Sequence, residues 1–129
     1  MLFSSLDEIK GTEREVKPED HEWVSNRLLL KKDGLGFSFN DTIVFAGTEL
    51  KVWFKNHLEA CYCLEGEGEV ETLADGKIHS IKTGTLYAAD KHDKHILRAK
   101  TDLRLICIFS PPLTGTEVHD EDGSYPVLE

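Results

Sequence analysis

Long apolar runs are missing from this 129-residue chain. Nothing approaches the ~20 consecutive residues of a membrane-spanning helix, so no membrane partner is expected. Basic charge is short as well: 15 Lys and Arg against 24 Asp and Glu leave a net charge of −9. Without a basic stripe to neutralise phosphates, the chain is not expected to bind nucleic acid. The opening MLFSSLDEIKGTERE lacks the basic region and apolar stretch of an export signal. Cysteine is scarce and odd in number, with Cys61 and Cys63 on one predicted strand, as suits free thiols in a reducing compartment. These absences together predict a cytoplasmic protein. No repeat, low-complexity tract or compositional break divides the chain, so one domain over 1–129 is expected.

What is present alternates with period two. Residues 5–12 allow one helical turn capped by Ser5, and no long helix is predicted elsewhere. WVSNRLLLKK reads as a strand closed by the turn Lys32-Asp33-Gly34. Arg27 lies on its Ser25 and Leu29 side, an edge charge by the usual exposure of arginine. GFSFNDTIVFAG places Phe37, Phe39, Ile43 and Phe45 on one side and Ser38, Asn40, Thr42 and Val44 on the other. The aromatic side is expected inside, and the polar side is expected to face water or a polar lumen. ELKVWFK and LEACYCL are two further strands, followed by VETL, KIHSI and TLYAA as a meander at hairpin spacing. The loop DKHDKH reads as a solvated hairpin, HILRA and LRLICIFS end the sheets, and Pro111-Pro112 stops the last. The tail 111–129 has no periodicity. It is expected on the surface unless it folds over the barrel opening. The pattern predicts an all-β fold, a small antiparallel β-barrel with at most short helical turns.

Some positions carry chemistry that an ordinary strand does not need. On LEACYCL, Glu59, Cys61 and Cys63 share one face, opposite Leu58, Ala60, Tyr62 and Leu64. His57 falls on the Glu59 side and is either a site residue or a strand-end histidine. Glu117 and His119 stand two apart in the tail, placed to act as an orienting group and a base if the tail covers the opening.

The spacing around Glu59 resembles a known frame. Gly47, five residues, Trp53, one, Lys55, three, Glu59, six, Gly66 is similar to the first motif of the cupins. Gly76, five residues, Lys82, one, Gly84, two, Tyr87 resembles the second. A metal-binding cupin would carry His at the positions of Trp53, Lys55 and Tyr87, whereas Glu59 is kept. The resemblance implies a cupin-type, jelly-roll-like barrel whose metal site has been rebuilt. Glu59 and Tyr87 occupy ligand positions of the two motifs, and His95 opens a strand eight residues later. Two oxygens and a nitrogen suit Fe(II), Mn(II) or Zn(II), and equally a metal-free hydrogen-bond network; spacing leaves both open.

WVSNRLLL, GLGFSFNDTIVFAGTE, WFKNHLEACYCLEGEGEVE, LYAADKHDKHILRAKTD and PPLTGTEVHDEDGSYP closely resemble the ectoine synthases, a family of cupin enzymes. That resemblance spans nearly the whole chain. It implies an Fe(II)-dependent hydro-lyase that closes N-γ-acetyl-L-2,4-diaminobutyrate into ectoine, a compatible solute, with loss of water. It implies Glu59, Tyr87 and His95 as metal ligands. It implies Trp23, Arg27, Asn40, Thr42, His57, Cys107, Phe109, Glu117 and His119 around the substrate, and a homodimer. Phe54 departs from the tyrosine common in the family. The chemistry needs a base and an acid, assigned to His119, oriented by Glu117, and to Tyr87. Two rival expectations are a cupin that holds a small zwitterion without turnover and a different metal-dependent cupin enzyme.

Overall fold

Residues 1–127 are described by the computed structural model, so Leu128 and Glu129 at the end of the tail lie outside the described residues. Among the described residues the one α-helix, α1 (Leu6–Ile9), starts at Ser5, whose hydroxyl accepts from the Glu8 amide as expected for an N-cap. Ten strands follow: β1 (Glu15–Val16), β2 (Trp23–Leu29), β3 (Ser38–Val44), β4 (Glu49–Val52), β5 (Leu58–Glu65), β6 (Glu67–Thr72), β7 (Lys77–Lys82), β8 (Leu86–Ala89), β9 (His95–Ala99) and β10 (Leu103–Ser110).

The strands form two antiparallel sheets, ordered β1-β2-β3-β10-β5-β8 and β4-β9-β6-β7. This is the expected all-β jelly-roll-like architecture, with the lumen between facing sheets rather than inside one continuous cylinder. Hairpin spacing misleads in two places. β4 and β5 pair in different sheets, and β8 leaves β7 to pair with β5, so the predicted meander holds only for β6 and β7. ELKVWFK is a strand only through Val52; the chain leaves it at Trp53 and bends at Lys55 and Asn56 before β5 begins in the other sheet.

The faces of β3 are the reverse of the expectation. Ser38, Asn40 and Val44 are buried and Thr42 half-buried, whereas Phe37 and Phe45 are exposed and Phe39 and Ile43 half-buried. The register explains it. β3 pairs with β10 so that Asn40 stands opposite Cys107 and Val44 opposite Leu103, on the inward side, and Phe39 stands opposite the exposed Ile108. Strict alternation fixes which residues share a face but not which face meets the core.

The core is a stack of Trp23, Leu30, Val44, Val52, Phe54, Leu97, Leu103, Leu105, Phe109 and Leu113. Burial of such side chains contributes roughly 1.5–3 kcal/mol each. The tail belongs to this core. Leu113, Glu117, Ser124 and Tyr125 are all buried, which corrects the expectation of a surface tail.

Candidate active site

The site is laid out along one cross-strand row of the larger sheet. Arg27 on β2 pairs with Asn40 on β3, Asn40 with Cys107 on β10, Cys107 with Cys61 on β5, and Cys61 with Tyr87 on β8. Because side chains alternate and these residues share a row, all five point to the same face, spaced about 4.8 Å from strand to strand. A register shift just after Arg27 breaks the alternation of β2, so Leu29 leaves the side it was expected to share with Arg27. One position along β5 on the same face, Glu59 stands opposite Phe109.

Trp23, Asn40, Thr42, Phe54, Glu59, Cys61, Tyr87, His95, Cys107, Phe109, His119 and Tyr125 line one narrow cavity. Nine of the residues expected at the site thus meet there. Arg27, His57 and Glu117 are buried beside it without lining it. His57 packs edge-on against Phe109 and Tyr125.

Glu59 is buried, and burial raises its carboxyl to about 7 against a small opposing effect from Cys61. Among the described residues it has no salt bridge. His95 Nδ1 lies 2.9 Å from the Asp93 carbonyl, which only accepts, so Nδ1 carries the proton and Nε2 keeps its lone pair. Burial pushes the His95 pKa down, which favours the neutral ligating form. Tyr87 packs edge-on to His95 at 6.0 Å, and burial holds its phenol well above the ordinary range. A buried carboxyl with no cationic partner, a neutral imidazole of fixed tautomer and a phenol in one lumen fit a divalent cation. A further donor group lies alongside: ligand atoms of Glu59, Cys61 and Cys107 are all within 4.8 Å of one another.

Arg27 is 0 % exposed and is no edge charge. Its Nη2 donates to the Glu117 carbonyl at 2.6 Å, and its Nε to Ser25 Oγ at 3.3 Å. Nη1 stands 3.6 Å from the Glu117 carboxylate and donates no hydrogen bond within the protein. Asn40 Oδ1, on the paired residue, likewise has no donor. Buried polar atoms without partners are rare, and here a donor and an acceptor sit on neighbouring positions of one row.

Glu117 is held by the tail itself, accepting from the Thr114 amide at 2.7 Å and the Gly115 amide at 2.8 Å. Burial alone would raise its carboxyl, yet these amides and Arg27 hold it below the usual range. Its hydrogen bonds run to the backbone and its charge to Arg27. Aromatic rings surround His119 instead: it stacks on Tyr125 at 4.7 Å and 11°, with Trp23 edge-on at 5.5 Å and Phe54 at 5.6 Å. Burial, with Arg27 nearby, lowers its pKa to about 4, so its imidazole is neutral near neutral pH.

Of the three residues at cupin histidine positions, Trp53 and Lys55 contact the tail instead of lining the cavity. The Trp53 amide donates to Gly123 O at 3.0 Å, and the Lys55 amide to Ser124 Oγ at 3.1 Å. Lys55 Nζ pairs with Asp122 at 2.7 Å, and Lys55 and Lys94 both approach the Trp53 ring. His92, in the loop expected to be solvated, takes part as well: its Nδ1 donates to Phe54 O at 2.8 Å. Tyr125 was not foreseen at the site. It is the only aromatic residue of the tail, and that was the one signal available.

The chain matches the family model described as ectoine synthase over residues 1–129. It is 59% identical to the L-ectoine synthase of Desulfatibacillum aliphaticivorans, over 100% of this chain and 99% of that one. It is 60% identical to the L-ectoine synthase of Halalkalibacterium halodurans, over 100% and 98%. Among solved structures, the ectoine synthase from P. lautus superposes with a TM-score of 0.88 at 52% identity, covering 99% of this chain and 91% of that one. An RmlC-like cupin from Shewanella frigidimarina superposes at 0.69 with 20% identity, covering 86% and 91%, and supports the fold alone. By these matches the chain belongs to the ectoine synthase family of hydro-lyases, and its fold is cupin-like.

Proposed function

We propose that the protein closes N-γ-acetyl-L-2,4-diaminobutyrate into ectoine with loss of water, using a divalent metal, Fe(II), held by Glu59, Tyr87 and His95. The observation that carries this reading is the buried Glu59 carboxyl without a cationic partner, in the same lumen as Tyr87 and a His95 whose Nε2 is free. When bound, the metal supplies a Lewis acid that polarises the acetamide carbonyl.

The protein's own groups do the rest. Asn40 Oδ1, an unpartnered acceptor on the cavity lining, receives the α-amine, and the unpartnered Nη1 of Arg27, on the paired residue behind that lining, is the donor for the α-carboxylate. His119 is neutral and accepts a proton from the ammonium, leaving an amine able to attack the carbonyl carbon. Trp23, Phe54, Phe109 and Tyr125 form apolar walls that keep the substrate folded, bring amine and carbonyl within ring-closing distance and exclude water. As the new C–N bond forms, the carbonyl oxygen gains protons and departs as water. Tyr87, whose phenol burial holds well above its ordinary range, is the acid assigned to that oxygen. Glu117 keeps Arg27 in place and closes the tail over the chamber.

The rest of the reading is of a soluble cytoplasmic enzyme that supplies a compatible solute and works as a homodimer. Support for the dimer is the outer face of the larger sheet, where Leu58, Tyr62, Leu86 and Ile108 are exposed. The test is direct. Purified protein reconstituted with ferrous iron without oxygen should convert the acetylated diamine to ectoine, followed by NMR. Absence of product under those conditions overturns the reading.

A further inference from the structure

We propose that Glu59, Cys61 and Cys107 form a second cation site that is selective for thiophilic divalent metals such as Cd(II) and Zn(II), overlapping the first at Glu59. The two cysteines are direct cross-strand partners on β5 and β10, and both are buried. Their sulfurs stand 3.5 Å apart. Two metal–sulfur bonds of ~2.3 Å spanning that distance enclose an angle of about 100°, near the tetrahedral value. Glu59 lies two residues from Cys61 on the same face of β5, and its carboxylate completes a group whose donors are all within 4.8 Å of each other. Two thiolates and one carboxylate favour soft or borderline cations over Fe(II). The third thiol is excluded by its own geometry: Cys63 Sγ donates to the Glu65 carbonyl at 3.4 Å, away from this group.

Binding is a simple exchange. Each thiol releases its proton to solvent as its sulfur bonds the metal, with no change of oxidation state. Because Glu59 serves both donor sets, the two occupancies exclude one another. A thiophilic cation therefore blocks the chamber by taking Glu59 and by filling the space between the Cys107 and Cys61 positions.

The experiment titrates metal-free protein with Cd(II) and follows the thiolate-to-cadmium charge-transfer absorption in the ultraviolet. One equivalent should produce the band in wild type, in Cys63→Ser and in His95→Ala, the last separating this site from the Glu59–Tyr87–His95 set. Cys61→Ser and Cys107→Ser should each weaken Cd(II) binding by at least about 100-fold and abolish the two-thiolate band. Circular dichroism confirms that each variant is folded, with Cys61→Ala and Cys107→Ala as substitutes for a serine variant that is not. In the iron-loaded protein, Cd(II) should displace iron one for one. The proposal is overturned by no band in wild type, by a band that persists without Cys107, by a band lost with Cys63, or by iron and cadmium bound together.

Discussion

The guanidinium of Arg27 and the backbone carbonyl of Glu117, 90 residues apart in sequence, meet at 2.6 Å in a fully buried contact that joins the second strand to the tail. The Glu117 carboxylate adds an ion pair at 3.6 Å. One arginine thus ties the tail to the sheet and keeps one donor, Nη1, without a hydrogen bond.

Removing that arginine should act on stability and catalysis together. Arg27→Ala leaves the Glu117 carboxylate buried without its charge partner, a loss of about 3–5 kcal/mol. Urea unfolding should show it, and the KM for the acetylated diamine should rise. Arg27→Ala combined with Glu117→Gln should recover stability but not KM. Recovery of both would remove Arg27 from substrate binding.

Glu59 is expected to decide metal occupancy. Fe(II) at 100 times its dissociation constant should raise the unfolding free energy of wild type by ~2.7 kcal/mol. Glu59→Gln should remove that increment and lower activity by at least about 100-fold while keeping the fold. Thermal unfolding with and without iron, beside metal analysis, checks it. A full iron-dependent increment in Glu59→Gln would exclude Glu59 as a ligand.

Acid should weaken the fold partly through His119. Its folded-state value of about 4 lies below the ordinary 6.5, so the unfolded chain binds this proton more tightly. The stability it contributes is present above about 6.5 and is lost as pH falls through that value towards about 4. His119→Asn should flatten the decline of the urea midpoint across this window. An unchanged slope would mean that His119 is not held neutral by its surroundings.

Gly123 packs the tail against β4, and its carbonyl accepts from the Trp53 amide at 3.0 Å. Its φ is +76°, and an added Cβ would run into the Lys51 carbonyl. Gly123→Ala should cost about 1–2 kcal/mol of local backbone strain and undock residues 117–125, leaving the sheets intact. Proteolysis within the tail should accelerate, and KM should rise more than the unfolding midpoint falls. A tail as resistant as in wild type would contradict this.

The outer sheet face should set the assembly state. Tyr62→Lys combined with Ile108→Lys places two charges among the exposed Leu58 and Leu86 of that face. Light scattering should then report a monomer where wild type is a dimer. A wild-type monomer, or a dimer that survives both changes, would reject this face.

Much of this was legible in the sequence because strands alternate. Period two alone grouped Glu59 with Cys61, and the cupin-like spacing marked Tyr87. Alternation could not say which side of β3 faces inward, since Phe39 and Ile43 look like core until their partners on β10 are known. Arg27 looked like an edge charge because the groups that neutralise it lie in an aperiodic segment far along the chain. The same lack of period hid Tyr125. Sheet membership of β4 and β8 was invisible because a short connection can return to the same sheet or cross to the other with nearly the same residues.

The row from Arg27 to Tyr87 has a bearing on how this protein wears out. Five strands contribute one residue each, so none of these five side chains can loosen by fraying of a loop while the scaffold stays whole. Scattering Asn40, Cys107 and Cys61 takes breathing of the central ladder β3-β10-β5 itself. Inactivation by heat and loss of the slowest-exchanging amides on β3, β10 and β5 should therefore run on the same clock.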